Sequence, residues 1–80
     1  MPAPVLEIAA IVDARGLSCP MPIVRLAQAI KPLPSGSMVE LMATDPGSRR
    51  DVVAWCRSTG NDLVEQSIEG PVHRFHIVRR

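Results

Sequence analysis

The segment Gly16-Leu17-Ser18-Cys19-Pro20-Met21-Pro22 constrains this chain more than any other, because two prolines one residue apart remove two backbone donors. A central strand cannot run through such a segment. Both prolines are tolerated in the first turn of a helix, where the amides lack an intrahelical partner in any case. A helix is therefore expected to open here, with Cys19 at its N-cap and Pro20 as its first residue. Gly16 is placed to supply a positive φ or a close backbone approach in the loop before it. In that geometry the free amides and the positive end of the helix dipole would face the sulfur, which predicts a lowered Cys19 pKa. Pro22 would stiffen the same platform. The bland alternative is a small buried cysteine that happens to precede a helix.

The flanking periodicities supply the other elements. Ile8 to Val12 is a short apolar run without helical phase and reads as a strand buried on both faces, β1. From Pro20 to about Lys31 the apolar residues Ile23, Leu26, Ala27 and Ile30 recur at helical spacing and define α1, which Pro32 and Pro34 stop. Met38 to Ala43 reads as a second buried strand, β2. Ser48-Arg49-Arg50-Asp51 has the spacing of a capping box and opens α2, which Gly60 is expected to close. Leu63 to Glu69 and Val72 to Val78 then alternate as β3 and β4, joined by a hairpin at Glu69-Gly70-Pro71. The order β-α-β-α-β-β predicts an α/β fold, a mixed four-stranded sheet with both helices on one face. Loops at the carboxyl ends of β1 and β2, residues 13–19 and 44–48, are where a site is expected.

Eighty residues suffice for a single domain, 1–80, with residues 1–7 as a flexible N-terminal tail. Two cysteines do not make a disulfide framework, so reduced thiols are expected. A net charge of +1, one Trp, one Phe and no Tyr argue against direct nucleic-acid binding. No apolar run approaches a membrane span, and Met1-Pro2-Ala3-Pro4 lacks the basic start of a secretion signal, so the cytoplasm is the expected compartment. Cys56 beside Trp55 within α2 reads as structural, and His73 and His76, three apart on a strand, fall on opposite faces and cannot share a metal. No metal or cofactor is expected. Arg15, Arg49 and Arg50 could form a basic rim that meets an acidic partner, the alternative being solvated surface arginines. Arg79-Arg80 reads as a solubilising end. Asp45 either caps α2, the simpler role, or closes the loop beside Cys19.

The residues Asp13 to Pro22, followed by Thr44-Asp45-Pro46-Gly47 and Asp51 through Trp55, resemble the TusA (SirA-like) family of small sulfur-carrier proteins over nearly the whole chain. The Cys-Pro-x-Pro motif is specific when it follows Asp-x-x-Gly-Leu on a β-α unit. The resemblance implies a two-layer α/β sandwich whose cysteine, Cys19 here, accepts sulfane sulfur as a persulfide and passes it on. It implies protein partners, a cysteine desulfurase or rhodanese-like donor and a downstream acceptor, and carries the family's motif prolines to Pro20 and Pro22 and its acidic residue to Asp45. Family members serve tRNA thiolation, sulfur oxidation, molybdenum-cofactor assembly and selenium metabolism, and the recipient is open. The other class of reading is a regulatory or interaction module in which the Cys-Pro-x-Pro turn is only a structural cap.

Overall fold

The computed structural model describes residues 7–80, so the expected tail lies outside the described residues apart from Glu7. The order is β1 (Ile8–Ala14), α1 (Met21–Ile30), β2 (Met38–Ala43), α2 (Ser48–Thr59), β3 (Asp62–Glu69) and β4 (Val72–Val78). The four strands form one sheet in the order β1-β2-β4-β3. β1 and β2 are parallel neighbours joined through α1, while β4 is antiparallel to both β2 and β3. β4 thus fills the gap between β2 and β3, which makes the second crossover through α2 a split βαβ unit.

The expected α/β architecture is present, and burial follows from it. Val39 and Leu41 of β2, Phe75 and Ile77 of β4, Val12 and Ala14 of β1, Leu26 and Ile30 of α1, and Val52 and Cys56 of α2 make one core between sheet and helices. The strands supply alternate residues, as their pleat requires. β2 is apolar nearly throughout because it lies inside the sheet. The expectation that β1 is buried on both faces fails: β1 is an edge strand, with Ile8 at 41% and Ile11 at 62% exposure, and only its Val12 and Ala14 face is buried. It is also longer than expected, since Asp13 and Ala14 continue the ladder opposite Met42 and Ala43. β3 likewise begins one residue early, at Asp62.

The sheet face away from the helices carries an ionic network. Glu40, buried on β2, bonds through its carboxylate to Arg74 at 3.1 Å and to His76 at 3.0 Å, both on β4, and Glu65 and Glu69 of β3 meet the same two residues. His73 lies on the opposite side of the strand from His76 and stacks on Phe75, so the expected separation of the histidines holds. Among the described residues no His, Cys, Asp and Glu group is arranged to hold a metal ion, and no helix is long and apolar enough to cross a membrane.

The chain end departs from expectation. The Arg79 guanidinium donates to the carbonyls of Leu33 at 2.7 Å and Lys31 at 3.3 Å, in the turn that follows α1. Arg80 pairs with Asp62. Both arginines are tied to the fold. Gly60 closes α2 as expected, in the left-handed conformation with its amide on the Cys56 carbonyl at 2.9 Å.

Candidate functional site

Because β1 and β2 run parallel side by side, their following loops leave the same edge of the sheet. The two loops are tied directly: the Gly16 amide donates to the Thr44 hydroxyl at 2.9 Å. Gly16 adopts φ +80 in a turn closed by the Leu17 amide on the Ala14 carbonyl, so the positive φ expected of it is present. Within that turn, Arg15 forms a two-pronged ion pair with Asp13 through Nε and an Nη nitrogen, each at 2.8 Å. The guanidinium beside it holds the Asp13 carboxyl down at about 2. Arg15 is thereby paired within its own loop and stays exposed.

Cys19 and Pro20 form the centre of the next turn, in which the Met21 amide donates to the Ser18 carbonyl at 2.9 Å and the Cys19–Pro20 peptide is cis. The helix starts later than expected. Pro20 is its N-cap, Met21 its first residue and Pro22 its second, buried against the core, so Cys19 lies one position outside the cap. This changes the chemistry. The Met21 amide is already used by Ser18 and Pro22 has none, which leaves few first-turn donors for the sulfur; no side chain caps the helix.

The thiol is exposed and its surroundings are acidic. The Asp51 carboxylate is the main influence on it, and shielding by neighbouring atoms and the charges of Asp51 and Asp45 act the same way. All of these favour the neutral thiol over the thiolate, and the opposing Arg50 does not outweigh them. The Cys19 pKa is therefore raised above its ordinary value. The lowered pKa expected from the helix dipole is overturned, with the Asp51 carboxylate as the main cause.

That carboxylate is free because the capping box does not form. Gly47 is the N-cap of α2, and the Ser48 hydroxyl turns back to donate to the Asp45 carbonyl at 2.6 Å. Asp45 does not cap the helix with its side chain either; its carboxylate accepts the Gly47 amide at 3.0 Å and closes the loop, the second role considered for it. A side chain on Gly47 would come within 3.2 Å of Asp45 and 3.7 Å of Asp51, with Arg50 at 4.0 Å, so these three groups converge on the bare face of that glycine. Asp51 is the residue of this cluster that sequence reasoning left out of the site. Arg49 and Arg50 are exposed on α2.

Cys56 is buried against the core, and burial pushes its thiol up to about 11. Of the two thiols, only that of Cys19 is accessible.

A match to the family model for the sulfurtransferase TusA runs over residues 10–79, most of the chain. The chain belongs to the TusA family. It is 42% identical over 66 residues to the sulfur carrier protein TusA of Allochromatium vinosum, covering 82% of this chain and 84% of that one. Against TusA of Pseudomonas aeruginosa it is 37% identical over 74 residues, covering 92% and 94%. YrkI of Bacillus subtilis, described as a candidate sulfur carrier, is 49% identical over 67 residues and is covered to 89% by 84% of this chain. A SirA-like protein of Desulfitobacterium hafniense superposes with a TM-score of 0.77 at 25% identity, covering 86% of this chain and 95% of that one. The TusA fold, a two-layer α/β sandwich, is the one described above.

The electrostatic account of this TusA-family chain is open to a direct check. Asp51→Asn removes the charge and the strongest acceptor for the thiol proton, so the midpoint of the pH dependence of Cys19 alkylation by iodoacetamide should move down. At pH 7.5 the alkylation rate should rise severalfold. A rate and midpoint equal to the wild type would mean that Asp51 does not control the sulfur.

Proposed function

We propose that this protein is a sulfur carrier that takes up sulfane sulfur as a persulfide on Cys19 and relays it to a partner protein. The carrying observation is that the single accessible thiol of a TusA-family chain stands on the turn where two parallel strands deliver their loops, while Cys56 is buried. Single-domain organisation over 1–80 suits such a relay, and so does a reducing compartment such as the cytoplasm, in which both thiols stay free.

The step is an exchange. The Cys19 sulfur attacks the outer sulfur of a donor persulfide, the donor S–S bond breaks, and the donor cysteine leaves as a thiol with the proton that Cys19 gives up. Donor thiol and Cys19 persulfide result, with no net oxidation. Delivery is the same exchange, with a recipient thiol attacking the outer sulfur on Cys19. In this reading Asp51, the main influence on the thiol, takes its proton as the new S–S bond forms. Gly16, Pro20 and Pro22 hold the turn, with Asp45 closing the facing loop. The raised pKa suits a carrier that stays quiet between encounters, since the thiolate is the form that oxidants and alkylating agents attack. A cysteine desulfurase or rhodanese-like donor and a sulfur-accepting protein are the partners this reading requires.

Incubation with a cysteine desulfurase and cysteine, followed by intact-mass analysis, tests it. A gain of about 32 Da, reversed by reductant, is expected for one added sulfur. An unchanged mass would leave the Cys-Pro-x-Pro turn as a structural cap in an interaction module.

A further inference from the structure

The exposed side of α2 carries a groove that the sulfur chemistry does not use. It has a volume of about 550 Å³ and is bordered by Pro46, Arg49, Arg50, Val53, Ala54 and Arg57. Arg49, Val53 and Arg57 follow one another at i, i+4 and i+8, so they form a single stripe in which the two guanidinium-bearing positions flank an apolar one. Two helical turns separate the arginine positions, about 12 Å along the axis. The arginines of the other loops and strands are engaged: Arg15 with Asp13, Arg74 with Glu40 and Glu69, and Arg80 with Asp62. Among the described residues, Arg49, Arg50 and Arg57 meet no carboxylate in an ion pair. The only acidic residue of α2, Asp51, is turned to Cys19 on another side of the helix.

Placement gives the groove a use. Its Arg50 end adjoins the Asp45, Asp51 and Gly47 cluster beside Cys19. A chain lying along α2 would therefore be held next to the sulfur without touching it. Three cations around a floor of Val53, Ala54 and Pro46 match a segment with two carboxylates about two helical turns apart and an apolar residue between them. A nucleic-acid backbone fits less well: an apolar floor offers phosphates nothing, the exposed surface here holds no aromatic ring for bases, and the chain's net charge is only +1.

We propose that the α2 groove is the docking surface for an acidic segment of the protein that exchanges sulfur with Cys19. This rests on the carrier reading above, and it assigns partner choice to α2, separate from the chemistry on the α1 turn. Arg49 and Arg57 are the recognition residues and Val53 the apolar contact.

The test uses the full chain and a fluorescein-labelled, alanine-rich helical peptide with Glu, Leu and Glu at i, i+4 and i+8, followed by fluorescence anisotropy. Wild-type protein should bind it, more weakly as salt rises, and a peptide with Gln in place of both Glu should bind at least tenfold less tightly. The pair Arg49→Glu and Arg57→Glu should lose at least tenfold in affinity, whereas Arg25→Glu together with Lys31→Glu, the same change in net charge on α1, should not. Unchanged melting curves and unchanged sulfur loading from inorganic polysulfide in the Arg49 and Arg57 variant separate docking from folding and chemistry. The proposal is overturned if the α1 control loses as much as the α2 variant, if the Gln peptide binds equally, or if an RNA oligonucleotide displaces the acidic peptide at lower concentration. Failure of the wild type to load from polysulfide would count instead against the carrier reading.

Discussion

Cys19→Ser is expected to abolish the mass gain on incubation with a cysteine desulfurase and cysteine, while Cys56→Ser keeps it. The asymmetry follows from where the two sulfurs lie. Cys19 is exposed on a turn outside the helix cap, with no side-chain bond holding the first turn of α1, so a serine there disturbs neither packing nor capping. The hydroxyl is of similar size but a far poorer sulfur nucleophile at neutral pH. Cys56 is 6% exposed among core residues and its thiol titrates near 11, so almost none of it is thiolate where the exchange is run. The Cys19→Ser protein should melt within about 0.5 kcal/mol of wild type, as a surface substitution does. Retained loading in Cys19→Ser would move the site elsewhere.

Phe75→Ala is expected to unfold most of the protein. Phe75 is 1% exposed on β4, the strand that joins β2 to β3, and packs with Leu41, Val52 and Ile77 in the one core the chain possesses. Truncating a buried Phe costs about 3–5 kcal/mol, which is comparable to all that a single core of this size supplies. Urea denaturation followed by circular dichroism should show little native baseline in the variant. A loss under about 1 kcal/mol would mean that the core is not organised around β4.

Much of this could be read from the residues, and the failures have a common cause. α2 and its Gly60 end, the hairpin at Gly70 and the turn at Gly16 all rest on local chemistry or short periodicity, and these are present as expected. β1 lies at the edge of the sheet and runs on to Ala14, and periodicity does not tell which strand of a sheet lies at its edge. Arg79 reads in sequence only as a solubilising end, since the carbonyls of Lys31 and Leu33 that it meets are more than forty residues away. The largest error concerned the thiol. Pro20 and Pro22 do mark the start of a helix, but the Met21 amide is taken by Ser18, and Asp51 of α2 acts on the thiol. A local motif proposed a dipole; tertiary structure supplied a carboxylate. Asp51 itself was visible three residues after Ser48, and only the folded loop reveals that Gly47 caps the helix and leaves that side chain for Cys19.

The raised thiol pKa and the carrier role fit together if reactivity is conferred at the encounter. In the free protein Asp51 and Asp45 favour the neutral Cys19 thiol; under the proposed relay, a docked donor would supply the persulfide and exclude water from the exchange. Specificity then depends on the surface around the turn more than on the sulfur, and α2 with its unengaged arginines is the part of that surface best suited to it.

Loading, then discharge, of one labelled sulfur tests the central claim most directly. The protein is charged from a cysteine desulfurase with ³⁵S-cysteine, freed of donor, digested under non-reducing conditions to locate the label, and in parallel mixed with a second protein bearing a reactive thiol. The account predicts one labelled sulfur per chain, on the peptide containing Cys19, leaving that peptide as it enters the acceptor. Label on the Cys56 peptide, or label on Cys19 that no protein thiol removes, would contradict it.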